Sequence, residues 1–178
     1  MLKRTVVIAM FLAVCLFVIG TAQAQIPKDT MVHGANTDIF ITMDPGICFE
    51  VLPGAISQNL YARLVDVQVK DGNFVVAPDL AEKWEMSEDG KTWTFYLRDG
   101  LKFSNGDPLT AEDVAWSLQR VVKLQKSPAW LLTDVLGLTE ESVKAIDDKT
   151  VQIVTTGAPA NVVLTNLGGG VSGILNRK

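Results

Sequence analysis

The segment Thr92-Trp93-Thr94-Phe95-Tyr96-Leu97-Arg98 sets Trp93, Phe95 and Leu97 on one side and Thr94, Tyr96 and Arg98 on the other. That is the period of a strand with one buried face. Trp84-Glu85-Met86 precedes it across Ser87-Glu88-Asp89-Gly90-Lys91, in which Asp and Gly supply turn chemistry, so the two runs form a hairpin. One face of that strand packs and the other faces water. Thr110 followed by Asp113, with Val114, Leu118, Val121 and Val122 beyond, predicts an N-capped amphipathic helix.

The remaining signals alternate between strand and helix over short distances. Met31 to Thr42 reads as an early strand region ending at Met43-Asp44-Pro45-Gly46, and Ile47 to Pro53 as a loop. Ile56, Leu60 and Leu64 recur at i, i+4 and i+8, predicting an amphipathic helix over Ala55 to Val65. Val67 and Val69 pair with Phe74-Val75-Val76 across Lys70-Asp71-Gly72-Asn73. Ser142 to Ile146 and Val151 to Thr155 form another hairpin, followed by a helix from Pro159 to Leu167 that Gly168 stops. The fold class is therefore mixed α/β (α+β).

The first 24 residues stand apart, with 18 of them apolar. Lys3 and Arg4 form a positive n-region, Thr5 to Gly20 is uncharged, and Ala22-Gln23-Ala24 is a small-x-small site; together these read as a secretory signal peptide over 1–24, cleaved after Ala24. As a retained anchor, the uncharged run would rise only about 24 Å against a hydrocarbon core of roughly 30 Å. As a lipid-attachment site, Leu12-Ala13-Val14-Cys15 has a large residue before the cut and more apolar run after it. Export carries residues 25–178 out of the cytoplasm, usually into an oxidising compartment. They carry 14 Lys+Arg against 20 Asp+Glu, a balance that argues against a nucleic-acid partner held through phosphates. Cys15 leaves with the signal, so Cys48 has no intrachain disulfide partner and reads as a small buried residue.

Few residues offer catalysis. His33 is the single histidine of the sequence, so a Ser-His-Asp triad has to be built on it, and a Cys/His zinc cluster is not available. Gly168-Gly169-Gly170-Val171-Ser172-Gly173 fits G-x-G-x-x-G but follows a helix rather than a strand and lacks an acid about 20 residues on; it reads as a flexible helix end. Glu140-Glu141 and Asp147-Asp148 read as solvated caps and turns. The expectation is a non-enzyme that needs no cofactor and no metal.

The segments Pro78-Asp79-Leu80-Ala81-Glu82-Lys83-Trp84 and Ser87-Glu88-Asp89-Gly90-Lys91-Thr92-Trp93-Thr94-Phe95-Tyr96-Leu97-Arg98-Asp99-Gly100-Leu101-Lys102-Phe103 resemble the signature of the family 5 extracellular solute-binding proteins, receptors for ABC importers. The resemblance continues through Ser104 to Val114 and Ser117-Leu118-Gln119-Arg120, with Met43-Asp44-Pro45 upstream and Ile146 to Val151 and Pro159-Ala160-Asn161 downstream. It implies a periplasmic-binding-protein type II-like lobe with a ligand cleft between two lobes. It also implies that 25–178 is an N-terminal part of the first lobe, the second lobe being built from sequence beyond residue 178; the expectation is a truncated product or partial sequence.

The resemblance assigns Arg98 and Asp99 to the scaffold and carries the cleft wall to Cys48, Phe49 and Glu50, in the loop after Asp44-Pro45, and to Trp130. Glu50 would pair with a ligand cation and Trp130 would stack on it. The implied partners are a small solute, a dipeptide or oligopeptide foremost, and the permease subunits of an ABC importer. The alternative expectation is a small secreted interaction module, or a fragment of such a receptor without function.

Overall fold

The computed structural model describes residues 28–30 and 41–178. The signal segment 1–24, His33 and nearly all of the early strand read over 31–42 lie outside these residues; Ile41 and Thr42 are irregular.

Two antiparallel sheets carry the lobe. Strands β1 (Val65–Lys70) and β2 (Asn73–Pro78) form a two-stranded hairpin with Val67 opposite Val76. Its turn residues Asp71 and Gly72 both take positive φ, 52° and 78°, the geometry whose twist matches the flanking strands. Strands β3 (Ala81–Met86), β4 (Thr92–Leu97), β5 (Val143–Ala145) and β6 (Thr150–Val154) make the larger sheet in the order β3-β4-β6-β5. The β3–β4 turn closes as its sequence requires: Asp89 accepts from the Lys91 amide at 3.1 Å, the Ser87 hydroxyl accepts from the Thr92 amide at 2.9 Å, and Gly90 takes φ 72°.

Among the described residues, four α-helices complete the lobe: α1 (Val51–Leu60), α2 (Ala111–Leu124), α3 (Trp130–Thr133) and α4 (Ala160–Leu167). Trp93, Phe95 and Leu97 of β4 bury as their spacing predicts, in one core with Val151 and Ile153 of β6 and with Val114, Leu118, Val121 and Val122 of α2. The rings of Trp93 and Phe95 stack 6.3 Å apart, and Phe95 also meets Trp84 at 6.4 Å. On the opposite face, Lys83 lies 4.2 Å over the Tyr96 ring. The type of each layer follows from the spacing of its apolar residues.

The first helix departs from expectation. It starts at Val51 and ends at Leu60, with Tyr61 already extended. Pro53 is tolerated because it falls in the first turn, where its missing N–H has no intrahelical partner. Leu64 is buried but lies in a bend beyond the helix: the Arg63 and Leu64 carbonyls accept from the Leu80 and Ala81 amides at 2.9 and 3.0 Å. Ladder bonds to that segment outbid continuation of the helix, and the i, i+4, i+8 spacing of Ile56, Leu60 and Leu64 does not describe one helical face.

The Gly-rich tail also differs. Gly168 ends α4 with an ordinary negative φ of −91°, and a Cβ there would sit 2.8 Å from the Val67 side chain, so its role is close approach to β1. Gly170–Ser172 form a 3-10 turn with Val171 and Ser172 buried, and the Ile174 amide donates to the Ala62 carbonyl at 2.9 Å. This segment is packed into the lobe rather than forming a flexible helix end.

Phe95→Ala is expected to cost about 3–5 kcal/mol, the range for deleting a fully buried aromatic. Urea unfolding followed by tryptophan fluorescence measures it; a loss under ~1 kcal/mol would place the ring outside the core.

Candidate functional site

The turn that opens the site is organised by one carboxylate. Asp44 accepts from the Gly46 amide through Oδ1 at 2.9 Å, and its own carbonyl accepts from the Ile47 and Cys48 amides at 3.0 and 2.8 Å. Arg120 on α2 grips the same carboxylate with both terminal nitrogens, Nη1 at 2.9 Å and Nη2 closer still. The pair is partly buried, its side chains 25% and 22% exposed. Hydrogen bonding to Arg120 holds the Asp44 carboxyl below its ordinary value near 3.8, overcoming the opposing effect of burial. Reciprocally, Asp44 raises the Arg120 guanidinium.

Beyond the turn, Glu50 is the N-cap of α1 and its Oε2 accepts from the Phe49 amide at 3.1 Å. Cys48, Phe49 and Glu50 then line a cavity of about 310 Å³ together with Gly54 and Gln58 of α1. Cys48 is buried at 6% exposure, and burial pushes its thiol pKa up.

A second wall comes from beyond α2. That helix ends at Gln125, which takes φ 49° and ψ 37° and redirects the chain into the 3-10 turn Ser127–Ala129 and then α3. Ala129 and Leu132 are buried. Trp130, between them, is left 45% exposed, and its ring meets Phe49, itself 51% exposed, edge to face at 6.3 Å. Pro128 and Leu131 line the cavity, and Gly170 and Val171 close it.

The four residues carried over from the resemblance thus come together, three in the cavity wall and Trp130 at its edge against Phe49. Phe49 and Trp130 are not core fillers. Arg98 and Asp99 serve the scaffold, Arg98 donating to the Pro78 carbonyl at 3.0 Å and Asp99 pairing with Lys149. Sequence reasoning did not assign Gln58, Pro128, Leu131, Gly170 and Val171 to the wall; the only signal available for the last two was the Gly-rich run. Among the described residues, no group of three or more His, Cys, Asp and Glu is placed to hold a metal ion.

The architecture is that of a type II periplasmic-binding-protein lobe. It superposes on Haemophilus influenzae OppA in complex with RPPGFSPFR with a TM-score of 0.67, 27% identity, and coverage of 76% of this chain and 28% of that one. The unliganded open form of the periplasmic murein tripeptide binding protein MppA gives 0.66, 26%, 77% and 28%. The sequence model of the bacterial extracellular solute-binding proteins, family 5 Middle, matches residues 75–175, and the chain belongs to that family. Similar curated proteins from Escherichia coli K12 include the probable D,D-dipeptide-binding periplasmic protein, 38% identical over 110 residues (61% of this chain and 21% of the relative). The dipeptide-binding protein is 34% identical over 179 aligned positions (89% and 32%), and the nickel-binding periplasmic protein 38% over 126 (64% and 24%). The chain therefore spans about a fifth to a third of the length of these relatives.

Because the folded Asp44 carboxyl titrates below its unfolded value, its contribution is present above pH ~4 and is lost as pH falls through the lowered folded value. At pH 7, Asp44→Asn is expected to cost about 1–2 kcal/mol, the range for a charged hydrogen bond discounted for its partial exposure. Thermal midpoints of the two proteins should converge below pH 4; a gap that persists unchanged at pH 2.5 would show that charge is not what Arg120 recognises.

Proposed function

We propose that this chain is the solute-binding part of an ABC-importer receptor, exported by its N-terminal segment with cleavage after Ala24. It takes a dipeptide, oligopeptide or related small solute in the periplasm for delivery to permease subunits. The observation that carries this reading is the 310 Å³ cavity beside an exposed, mutually packed Phe49–Trp130 pair in a chain of a solute-binding family. An apolar cavity with few polar groups is the usual form of a small-molecule site. The printed names of similar proteins, dipeptide-, oligopeptide- and nickel-binding, favour peptides as the solute class.

The wall chemistry favours the cationic end of a ligand. The cavity lining includes one carboxylate, Glu50, one amide, Gln58, and no Lys or Arg. Such a wall suits an apolar side chain beside a cationic group: Glu50 supplies the charge, and Trp130 a ring face that attracts a cation. A peptide's anionic carboxylate finds no counter-charge here. Residues 25–178 then act as a binding lobe, affinity coming from burial and closure rather than covalent chemistry.

Titration of the chain with dipeptides and tripeptides, followed by amide chemical shifts, is expected to perturb Cys48 to Gln58, Pro128 to Leu131 and Gly170–Val171, with a Kd in about the millimolar range because one wall buries only part of a ligand. Trp130→Ala should weaken binding about two- to fivefold, the equivalent of ~0.5–1 kcal/mol for an exposed cation–π contact, without moving the thermal midpoint. Shifts confined to other surfaces, or none up to ~10 mM peptide, would defeat the reading.

A further inference from the structure

The two flanks of the cavity are separated by more than a hundred residues in sequence, yet both are tied to one face of α2. Arg120 holds the Asp44 carboxylate and with it the turn leading to Cys48, Phe49 and Glu50. Ser117, three residues earlier and so on the same helical face, accepts from the Leu175 amide at 3.0 Å and donates to the Asp113 carbonyl at 2.7 Å. Leu175 ends the segment that begins with the wall residues Gly170 and Val171.

The two tethered segments also touch each other. A Cβ on Gly173 would lie 3.0 Å from Cβ of Pro45 and 2.9 Å from Cβ of Tyr61. On its other side the turn presses on α2: a Cβ on Gly46 would fall 3.2 Å from Arg120 Nη1 and 3.3 Å from Val121 Cγ2. A Cβ on Gly173 would force its neighbours to shift, and one on Gly46 would be a tight fit. The turn is therefore clamped between α2 and the C-terminal segment. The guanidinium centre lies 6.0 Å from the Trp116 ring.

We infer that Arg120, acting through Asp44, is the positioning residue of the cleft: its bidentate hold on the Asp44 turn sets where Cys48, Phe49 and Glu50 stand in the wall. A planar fork that grips both carboxylate oxygens fixes orientation as well as distance, which a lysine ammonium does not. Arg120 is not among the residues that line the cavity. With the grip removed, Asp44 keeps its own bonds to the Gly46, Ile47 and Cys48 amides, so the turn survives locally but is no longer oriented on α2, and Cys48 becomes reachable from solvent.

This inference rests on the cleft reading above, and its readout needs no ligand, so the two fail separately. The probe is the alkylation rate of the Cys48 thiol by iodoacetamide at pH 8, read on the Cys48 peptide by mass spectrometry. Arg120→Gln is expected to raise the Cys48 rate tenfold or more, and Arg120→Lys to give a smaller rise. Gln119→Ala is the control, since Gln119 donates to the Val143 carbonyl at 2.8 Å on the β5 side of the same helix; it should leave the rate within twofold of the parent. If Arg120→Gln does not fold, Arg120→Lys carries the comparison. An unchanged Cys48 rate in the folded Arg120 variants, or an equal rise in Gln119→Ala, would overturn the assignment by showing no effect or a general loosening of the lobe.

Discussion

The first turn of α2 determines where everything else in the lobe can stand. Asp113 is almost fully buried, and its Oδ2 accepts from both the Thr110 amide and the Thr110 hydroxyl at 2.9 Å. That closes the helix start at one residue, and a helix whose start is fixed has its phase fixed. Val114, Leu118 and Val121 are thereby directed into the core, while Ser117 and Arg120 fall on the neighbouring stripe that meets Leu175 and Asp44. A slip of one residue would rotate these groups by about 100° and separate the cavity's tethers from both walls.

Ion pairs in this chain differ in what they accomplish. Lys149–Asp99 and Lys83–Glu85 are solvent-exposed on both sides, and such pairs are screened by salt and water and add little to stability. Arg120–Asp44 is partly withdrawn from water and bidentate, and its carboxylate also caps the Gly46 amide. Its net contribution to stability remains modest, because desolvation offsets much of the attraction. What it supplies is geometry, the fixed orientation of one loop on one helix.

The local elements were legible in the sequence because local chemistry specifies them. Asp71-Gly72 and Asp89-Gly90 close their hairpins, the Trp93/Phe95/Leu97 alternation names the buried face, and Thr110 with Asp113 marks the helix start. The α1 boundaries were not legible, since Leu64 is claimed by backbone bonds to residues 80 and 81, partners that no short-range period can reveal. The site was half legible. Resemblance pointed to Cys48, Phe49, Glu50 and Trp130, but the contact that orients three of them joins residues 76 apart. The Gly-rich tail misled for a related reason: Gly173 is small because Pro45 and Tyr61 press on it, whereas composition alone suggests freedom.

The cavity draws its lining from residues 48–58, 128–131 and 170–171, and none of these segments makes a wall alone. Segments so distant in sequence meet only after the loop-closure entropy of the intervening chain has been met, which here requires the β3-β4-β6-β5 sheet and α2 to be in place. The site is therefore a property of the folded lobe as a whole. A ligand that binds only when all three segments are assembled must stabilise the lobe by mass action. By the same linkage, a substitution that loosens the grip of α2 on either wall reduces the fraction of molecules competent to bind, even where every wall residue is unchanged.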